Sequence, residues 1–223
     1  MHFLYHTDAG DAQVTIEGEN HKYLFKVRRV KISDKITLRN LKDGYEYIYK
    51  IENINRRTAL LFLAEKKVLE KQESKELHIG WCIIDPKSIE KYLPTINELG
   101  VAKISFIYCQ RSQKSYKVDF KRLQKILINS SQQCGRDTLM ELELFENLKS
   151  YLSSYPQSYM LNFSNNYIDD AVEDIKSIII GCEGGFTEDE ISLIKSSKIV
   201  GLKTPYTLKS ESAVVATGAK LLT

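Results

Sequence analysis

From Leu77 to the end, the chain changes pattern again and again, and that constrains its fold more than any other feature. "LHIGWCII" reads as a buried strand, and "SIEKYLPTINELG" as a helix closed by Gly100, with Pro94 inside it as an expected kink. "KISFIY" is a strand, "DFKRLQKILINSSQQCG" a helix, and "ELELF", "SYMLNFS" and "SIIIG" are strands. "TEDEISLIKSS" is a helix, "KIVGL" a strand, and "SESAVVATGAKLL" a final helix. Parallel strands need long crossovers and helices supply them, so the fold class is α/β with a mainly parallel sheet.

The first 70 residues follow a different period. "YEYIYKI" puts Tyr45, Tyr47, Tyr49 and Ile51 on one face and Glu46, Ile48 and Lys50 on the other, which is the mark of a half-buried strand. "KITLR" and "TALLFLA" flank it, and Asp43-Gly44 supplies a hairpin turn. Short strands at this density predict a small β-barrel over residues 1–70. "EKKVLEKQESKE" is charged and has no apolar face, so it marks the boundary, with the second domain at residues 74–223.

Charge is unevenly spread. Residues 1–70 hold 13 Lys/Arg against 10 Asp/Glu, residues 71–136 hold 12 against 6, and residues 137–223 hold 7 against 13. A basic front and an acidic rear point to a polyanionic partner, the alternative being clustering on solvated faces. "MHFLYHTDAG" lacks the basic start and apolar run of a secretory signal, and no apolar stretch is long enough to span a bilayer. A cytoplasmic protein without membrane contact is expected. Cys82, Cys109, Cys134 and Cys182 form no CxxC pair, and none is joined by a histidine at ligand spacing. They are expected as free thiols, with no metal site.

"SIIIGCEGGFTEDE" places Glu183 among three glycines at the end of a buried strand, where open α/β sheets bind ligands. Gly181, Gly184 and Gly185 permit close backbone approach, and Thr187 with Glu190 forms a T-x-x-E capping box. The spacing fits neither phosphate-loop pattern, and a glutamate would repel a pyrophosphate. A cofactor without phosphate, such as S-adenosylmethionine, suits the loop, and so does a tight turn with no ligand. A second loop, "VGLKTPYTLKSESAVVATG", follows another strand end, and Ser210, Glu211 and Ser212 offer caps at its helix start.

Five blocks in order carry a resemblance: "HKYLFKVRRVKISD", "INELGVAKISFIYCQRS", "QQCGR", "IIIGCEGGFTEDE" and "LKTPYTLKSESA". In them the chain resembles, nearly end to end, the bacterial 16S ribosomal RNA uridine-N3 methyltransferases of the RsmE type, in the SPOUT superfamily. Departures are Cys182 for the family's proline, Gln110 for glutamate, and Thr204 and Tyr206 for glycine and arginine. Lys209, Ser210 and Ser212 replace Arg, Thr and Thr, and Asp85-Pro86-Lys87 stands where a helix usually starts with a basic residue and glycine.

The resemblance implies a PUA-like β-barrel, then a SPOUT domain with a trefoil knot whose loops hold S-adenosylmethionine, in a homodimer. By position, the slot takes Leu161, Phe163, Gly181, Gly184, Gly185, Leu202, Thr204, Leu208, Ser210 and Ala213. Glu183 either anchors the knot through backbone N–H groups, the role favoured here, or stands near methyl transfer. Uracil N3–H is a weak acid whose anion spreads onto O2 and O4, and a guanidinium beside those oxygens stabilises it. Arg136 and Arg111 are the candidates, each with a phosphate contact or an ion pair as the alternative. Glu211 is a candidate proton acceptor, or else a helix cap. Lys26, Arg28, Arg29, Lys31, Lys114 and Lys117 form the RNA face for 16S rRNA in the small ribosomal subunit. The alternative function is an RNA-binding or assembly factor that keeps the scaffold without catalysis.

Overall fold

The computed structural model describes residues 2–70 and 75–223. The chain divides into two units, Met1–Gln72 with Ile128–Leu139, and Glu73–Leu127 with Met140–Thr223.

The first unit is a five-stranded PUA-like half-barrel. Its elements are β1 (Leu4–Tyr5), β2 (Gln13–Glu17), α1 (Gly18–His21), β3 (Lys35–Arg39), β4 (Tyr45–Ile54) and β5 (Thr58–Val68). The sheet order is β1-β3-β4-β5-β2, with only the β1–β3 pair parallel. Tyr47, Tyr49 and Ile51 are buried on one face of β4, as their period demands. The Tyr49 hydroxyl donates to Asp11 O (2.8 Å) and accepts from Gly10 N (3.0 Å), so its burial leaves no polar atom unpaired. Asp43 shapes the hairpin, accepting from Tyr45 N (3.0 Å) and the Tyr47 hydroxyl (2.7 Å).

The strand-only expectation for this region needs correction. Gly18 at φ +60° turns the chain into α1, which continues as a π-helical stretch over Lys22–Val27. There Arg28 N donates to Tyr23 O (2.9 Å), the i→i−5 bond of that geometry. Leu24 is buried in the core with Tyr23 and Phe25 packed around it. Three consecutive residues meeting one core do not fit a strand buried on one face only. The expected boundary segment is also shorter, because β5 extends to Val68 and claims its first residues. Lys71–Ser74, the middle of that segment, lies outside the described residues.

The second unit is built on a six-stranded sheet. Its elements are β6 (His78–Cys82), α2 (Pro86–Glu98), β7 (Lys103–Ile107), α3 (Phe120–Cys134, its last residues counted with the first unit) and β8 (Glu141–Phe145). Next come α4 (Leu148–Ser154), β9 (Tyr159–Leu161), β10 (Ser177–Ile180), α5 (Glu188–Ser192), β11 (Ile199–Val200) and α6 (Ser210–Leu222). The order is β11-β9-β10-β6-β7-β8, and every pairing is parallel. Every residue of β6 is buried, as expected for a central strand covered on both faces.

Helix ends follow local chemistry. Asp85 caps α2 by accepting from Lys87 N (3.3 Å), Pro86 opens it, and Gly100 at φ +92° follows its end. Pro94 lies within the helix, which runs unbroken from Pro86 to Glu98. The Thr187–Glu190 capping box is formed. Ser210, Glu211 and Ser212 do not cap α6; its N-cap is Lys209, with no side-chain bond. Helix α4 was not expected, although Asn147 caps it by accepting from Ser150 N (2.8 Å).

Cys82 and Cys109 form a disulfide, against the expectation of free thiols, while Cys134 and Cys182 are free. Their separation of 27 residues does not disclose that the end of β6 meets the segment after β7.

Beneath the amino ends of four strands lies a closed polar network. His78 Nε2 bonds to Ser105 Oγ (2.8 Å), and Ser105 Oγ donates to Glu143 Oε2 (3.2 Å). Lys103 Nζ donates to Glu143 Oε1 (2.6 Å) and the Tyr155 hydroxyl (2.8 Å). Tyr151, Ser158 and Ser177 join hydroxyls at 2.8–3.1 Å. Burial, with the Lys103 charge nearby, pushes the His78 pKa down to about 4. The Glu143 carboxyl resists burial's upward push because Lys103 and Tyr155 donate to it, and its pKa is lowered.

Candidate active site

At the opposite, carboxyl end of the sheet, three loops enclose a cavity of about 630 Å³. One follows β9, one joins β10 to α5, and one joins β11 to α6. Leu161, Phe163, Gly181, Gly184, Gly185, Leu202, Thr204, Leu208, Ser210 and Ala213 all line it. So do Cys182 and Glu183.

The loops are fixed by a few bonds. Ser210 is buried, its hydroxyl accepting from Trp81 Nε1 (2.9 Å) and donating to Gly181 O (2.5 Å). It therefore fastens the start of α6 to the end of β10. Gly185 N donates to Cys182 O (2.9 Å), and Gly185 takes φ +66°, closing a turn a side chain would strain. Glu190 is buried and serves two loops, accepting from Thr187 N (3.0 Å) and from Gln110 N (2.8 Å). Gln110 Oε1 accepts from the Thr187 hydroxyl (3.0 Å).

Arg111, next along, donates from Nη1 to Gly184 O (2.6 Å). A Cβ built on Gly184 would meet the Arg111 side chain at 3.2 Å, so a substitution at Gly184 would crowd Arg111 as well as any ligand. The favoured anchoring role for Glu183 is not what the structure shows. Glu183 is exposed, and among the described residues no backbone N–H donates to it. Glu190 is the carboxylate that gathers backbone amides.

Sequence reasoning passed over Gly201. A Cβ there would meet the Ser164 carbonyl oxygen well inside contact distance. Gly201 N donates to Asn166 O (2.8 Å), and Gly201 O accepts from Ile168 N (2.9 Å), so two backbones pass in direct contact at the cavity wall. A glycine ending the short strand "KIVG" was the only available signal.

The remaining candidates are placed as follows. Glu211 is buried in the first turn of α6 and does not line the cavity. Arg136 belongs to the first unit, following a turn held by three bonds. His2 N donates to Gln132 O (2.9 Å), Tyr5 N to Gln132 Oε1 (2.8 Å), and Arg39 Nη1 to Gly135 O (3.1 Å). Burial lowers the Arg136 pKa from its ordinary value. Lys26, Arg28, Arg29 and Lys31 are exposed on the first unit, and Lys114 and Lys117 on the second. None of these six forms an ion pair among the described residues. Among the same residues no cluster of three or more His, Cys, Asp or Glu could hold a metal ion, and no helix is long and apolar enough to cross a membrane.

A parallel sheet with a glycine-walled cavity at its carboxyl end, accompanied by a PUA-like half-barrel, is the architecture of a SPOUT-type RNA methyltransferase. The model for the RNA methyltransferase domain matches residues 71–222, and that for the RNA methyltransferase PUA domain matches residues 16–63. Ribosomal RNA small subunit methyltransferase E of Helicobacter pylori (strain ATCC 700392 / 26695) is 43% identical over 218 residues, 96% of each chain. The protein of that name from Rickettsia conorii is 26% identical, over 96% of this chain and 91% of its own. Among solved structures, a Legionella pneumophila methyltransferase in complex with the bound cofactor SAM superposes with a TM-score of 0.82, at 23% identity, over 99% of this chain and 96% of its own. The Neisseria gonorrhoeae ribosomal RNA small subunit methyltransferase E bound to S-adenosyl methionine gives 0.77, at 21% identity, over 98% and 95%. The chain belongs to the RNA methyltransferase family that includes ribosomal RNA small subunit methyltransferase E.

Proposed function

We propose that this protein is an S-adenosylmethionine-dependent methyltransferase that methylates N3 of a specific uridine in 16S rRNA of the small ribosomal subunit, acting in the cytoplasm as a homodimer. The observation that carries this reading is the cavity at the carboxyl ends of β9, β10 and β11, whose volume is in the usual range for a small-ligand site. It agrees with the full-length relation to the Helicobacter protein.

The residues present fit the cofactor. Gly181, Gly184 and Gly185 let the backbone approach an adenosine closely, and Leu161, Phe163, Leu202, Leu208 and Ala213 give it apolar surface. Thr204 and Ser210 complete the slot, Ser210 through the position of Gly181. When bound, the cofactor supplies an electrophilic methyl on a positive sulfonium. Glu183, exposed on the wall and without a hydrogen bond among the described residues, presents a carboxylate complementary to that charge.

Arg111 is assigned to the uracil oxygens. One of its donors holds Gly184 O, and its other N–H groups have no partner among the described residues. A guanidinium so anchored stabilises the N3 anion without having to reorganise. Glu211 is buried beside Ser210 and outside the cavity wall, and Glu211→Gln tests whether it takes the N3 proton: slowed transfer with both affinities intact supports that role, and an unchanged rate removes it. Arg136 is assigned to the RNA substrate. Single-turnover transfer by Arg136→Ala decides its contact: a loss persisting at saturating RNA assigns it to the uracil anion, and a loss that vanishes there assigns it to phosphate. Lys26, Arg28, Arg29, Lys31, Lys114 and Lys117 position the RNA through phosphates. Replacing Arg28 and Arg29 together should flatten the salt dependence of RNA binding.

The experiment is methylation of small subunits from a strain lacking the corresponding gene, with nucleosides identified by mass spectrometry. One N3-methyluridine per subunit is expected, dependent on S-adenosylmethionine. RNA binding without cofactor binding or transfer would instead identify a non-catalytic RNA-binding factor.

A further inference from the structure

Tyr206 lines the cavity yet is 77% exposed. A ring left largely in water forgoes the burial that makes tyrosine useful in a core. Its loop is nonetheless built to hold it there. Thr204 Oγ1 accepts from Tyr206 N (3.2 Å), Thr204 N donates to Leu202 O (2.8 Å), and Pro205 between them restricts the backbone. Thr204 and Tyr206 thus act together, since the hydroxyl of the first shapes the turn that presents the second. Lys203 and Lys209, both exposed, flank the ring along the chain.

We propose that Tyr206 is a stacking platform for an unstacked base of the RNA substrate at the cavity mouth, with Lys203 and Lys209 contacting the adjoining phosphates. The inference deepens the methyltransferase reading and rests on it. An enzyme that modifies a base edge takes that base out of its stack, and the exposed π-face must be covered. RNA-binding proteins do this by laying bases on aromatic side chains set among cations, the combination found in "KTPYTLK". Phe163 is also exposed on the cavity wall, but no lysine adjoins it in sequence, whereas Tyr206 lies between Lys203 and Lys209.

The test compares Tyr206→Ala, Tyr206→Phe and Tyr206→Trp in the full chain. Unmethylated small subunits are the substrate, and S-adenosylmethionine affinity is measured separately by calorimetry. Tyr206→Ala should lower transfer efficiency about tenfold or more, the scale of one lost base–aromatic stack. Tyr206→Phe and Tyr206→Trp should stay close to wild type, and all three should bind cofactor as wild type does. The indole fluorescence that the Tyr206→Trp variant adds to that of wild type should be quenched by a uridine-containing single strand. Full efficiency in Tyr206→Ala overturns the proposal, as does a loss in Tyr206→Phe equal to that in Tyr206→Ala, because the hydroxyl rather than the ring would then matter. A loss of cofactor affinity in Tyr206→Ala overturns it in favour of a cofactor contact, and a changed oligomeric state in favour of a second copy covering the ring. If wild type binds subunits but transfers no methyl group, the functional reading fails, and quenching still reports separately on stacking.

Discussion

At the amino ends of β6, β7, β8 and β10, polar side chains bond to one another: His78, Lys103, Ser105, Glu143 and Ser177, joined by Tyr151, Tyr155 and Ser158. At the carboxyl ends of β9, β10 and β11, three loops with glycine, buried and exposed side chains surround a cavity. The first set satisfies its hydrogen bonds among its own members. The second keeps donors and acceptors for an outside partner, held in place by Ser210, Glu190 and the close backbone crossing at Gly201. One sheet thus separates a fixed end from a binding end, and substitutions should separate likewise into losses of stability and losses of function.

The sharpest way to break the comparison is at Arg111. Arg111→Ala should lower single-turnover methyl transfer by about two orders of magnitude or more, the scale of a lost anion-stabilising donor. Its thermal midpoint should hardly move, because the side chain is exposed. A proportionate fall in midpoint would show that the arginine belongs to the fixed end's logic.

His78 gives the converse. Its folded pKa of about 4 lies below the ordinary histidine value of 6.5, so between those values the unfolded chain binds the extra proton. Stability should therefore fall as pH drops through that window, by an amount on the order of 3 kcal/mol from this group. Glu143, whose folded pKa is lowered, adds a loss at lower pH, as it too becomes protonated. Urea unfolding across the window should show a shallower slope in His78→Gln than in wild type. Equal slopes would remove His78 from the network's pH response.

Gly201→Ala should affect both properties, since the new methyl must displace the Ser164 carbonyl. A loss of about 1–3 kcal/mol in stability is expected, together with weakened cofactor binding by calorimetry. Unchanged binding would mean that the crossing does not shape the cavity. The smallest effect belongs to Tyr151→Phe, which removes one hydroxyl from the Ser158–Ser177 group. About 1 kcal/mol of stability should be lost, with transfer and cofactor affinity unaltered.

What was legible in the sequence follows the same division between local and distant causes. The tyrosine strand, the Asp43 turn, the Thr187–Glu190 box and most elements of the alternating half depend on neighbours within a few residues, and they were readable. Of the ten slot positions, Gly181, Gly184 and Gly185 were legible as a ligand loop at a strand end, and the others came from the resemblance, since periodicity says nothing of which loops converge. The Arg111–Gly184 bond spans 73 residues and the Trp81–Ser210 bond 129, beyond any local pattern. Gly201 escaped notice because the backbone it must clear lies 37 residues earlier, at Ser164. The helical turn over Gly18–Val27 was missed because its α-helical part, Gly18–His21, is one turn long and the rest, Lys22–Val27, is π-helical with a period neither two nor 3.6.

Hydrogen exchange of backbone amides, with and without saturating S-adenosylmethionine, tests the division of the sheet most directly. Added protection should fall in residues 161–167, 181–186 and 201–210, the three loops around the cavity. The amides of β6, β7 and β8 should exchange as slowly without the cofactor as with it. Protection appearing at the amino ends of those strands, or none in the three loops, would contradict the account.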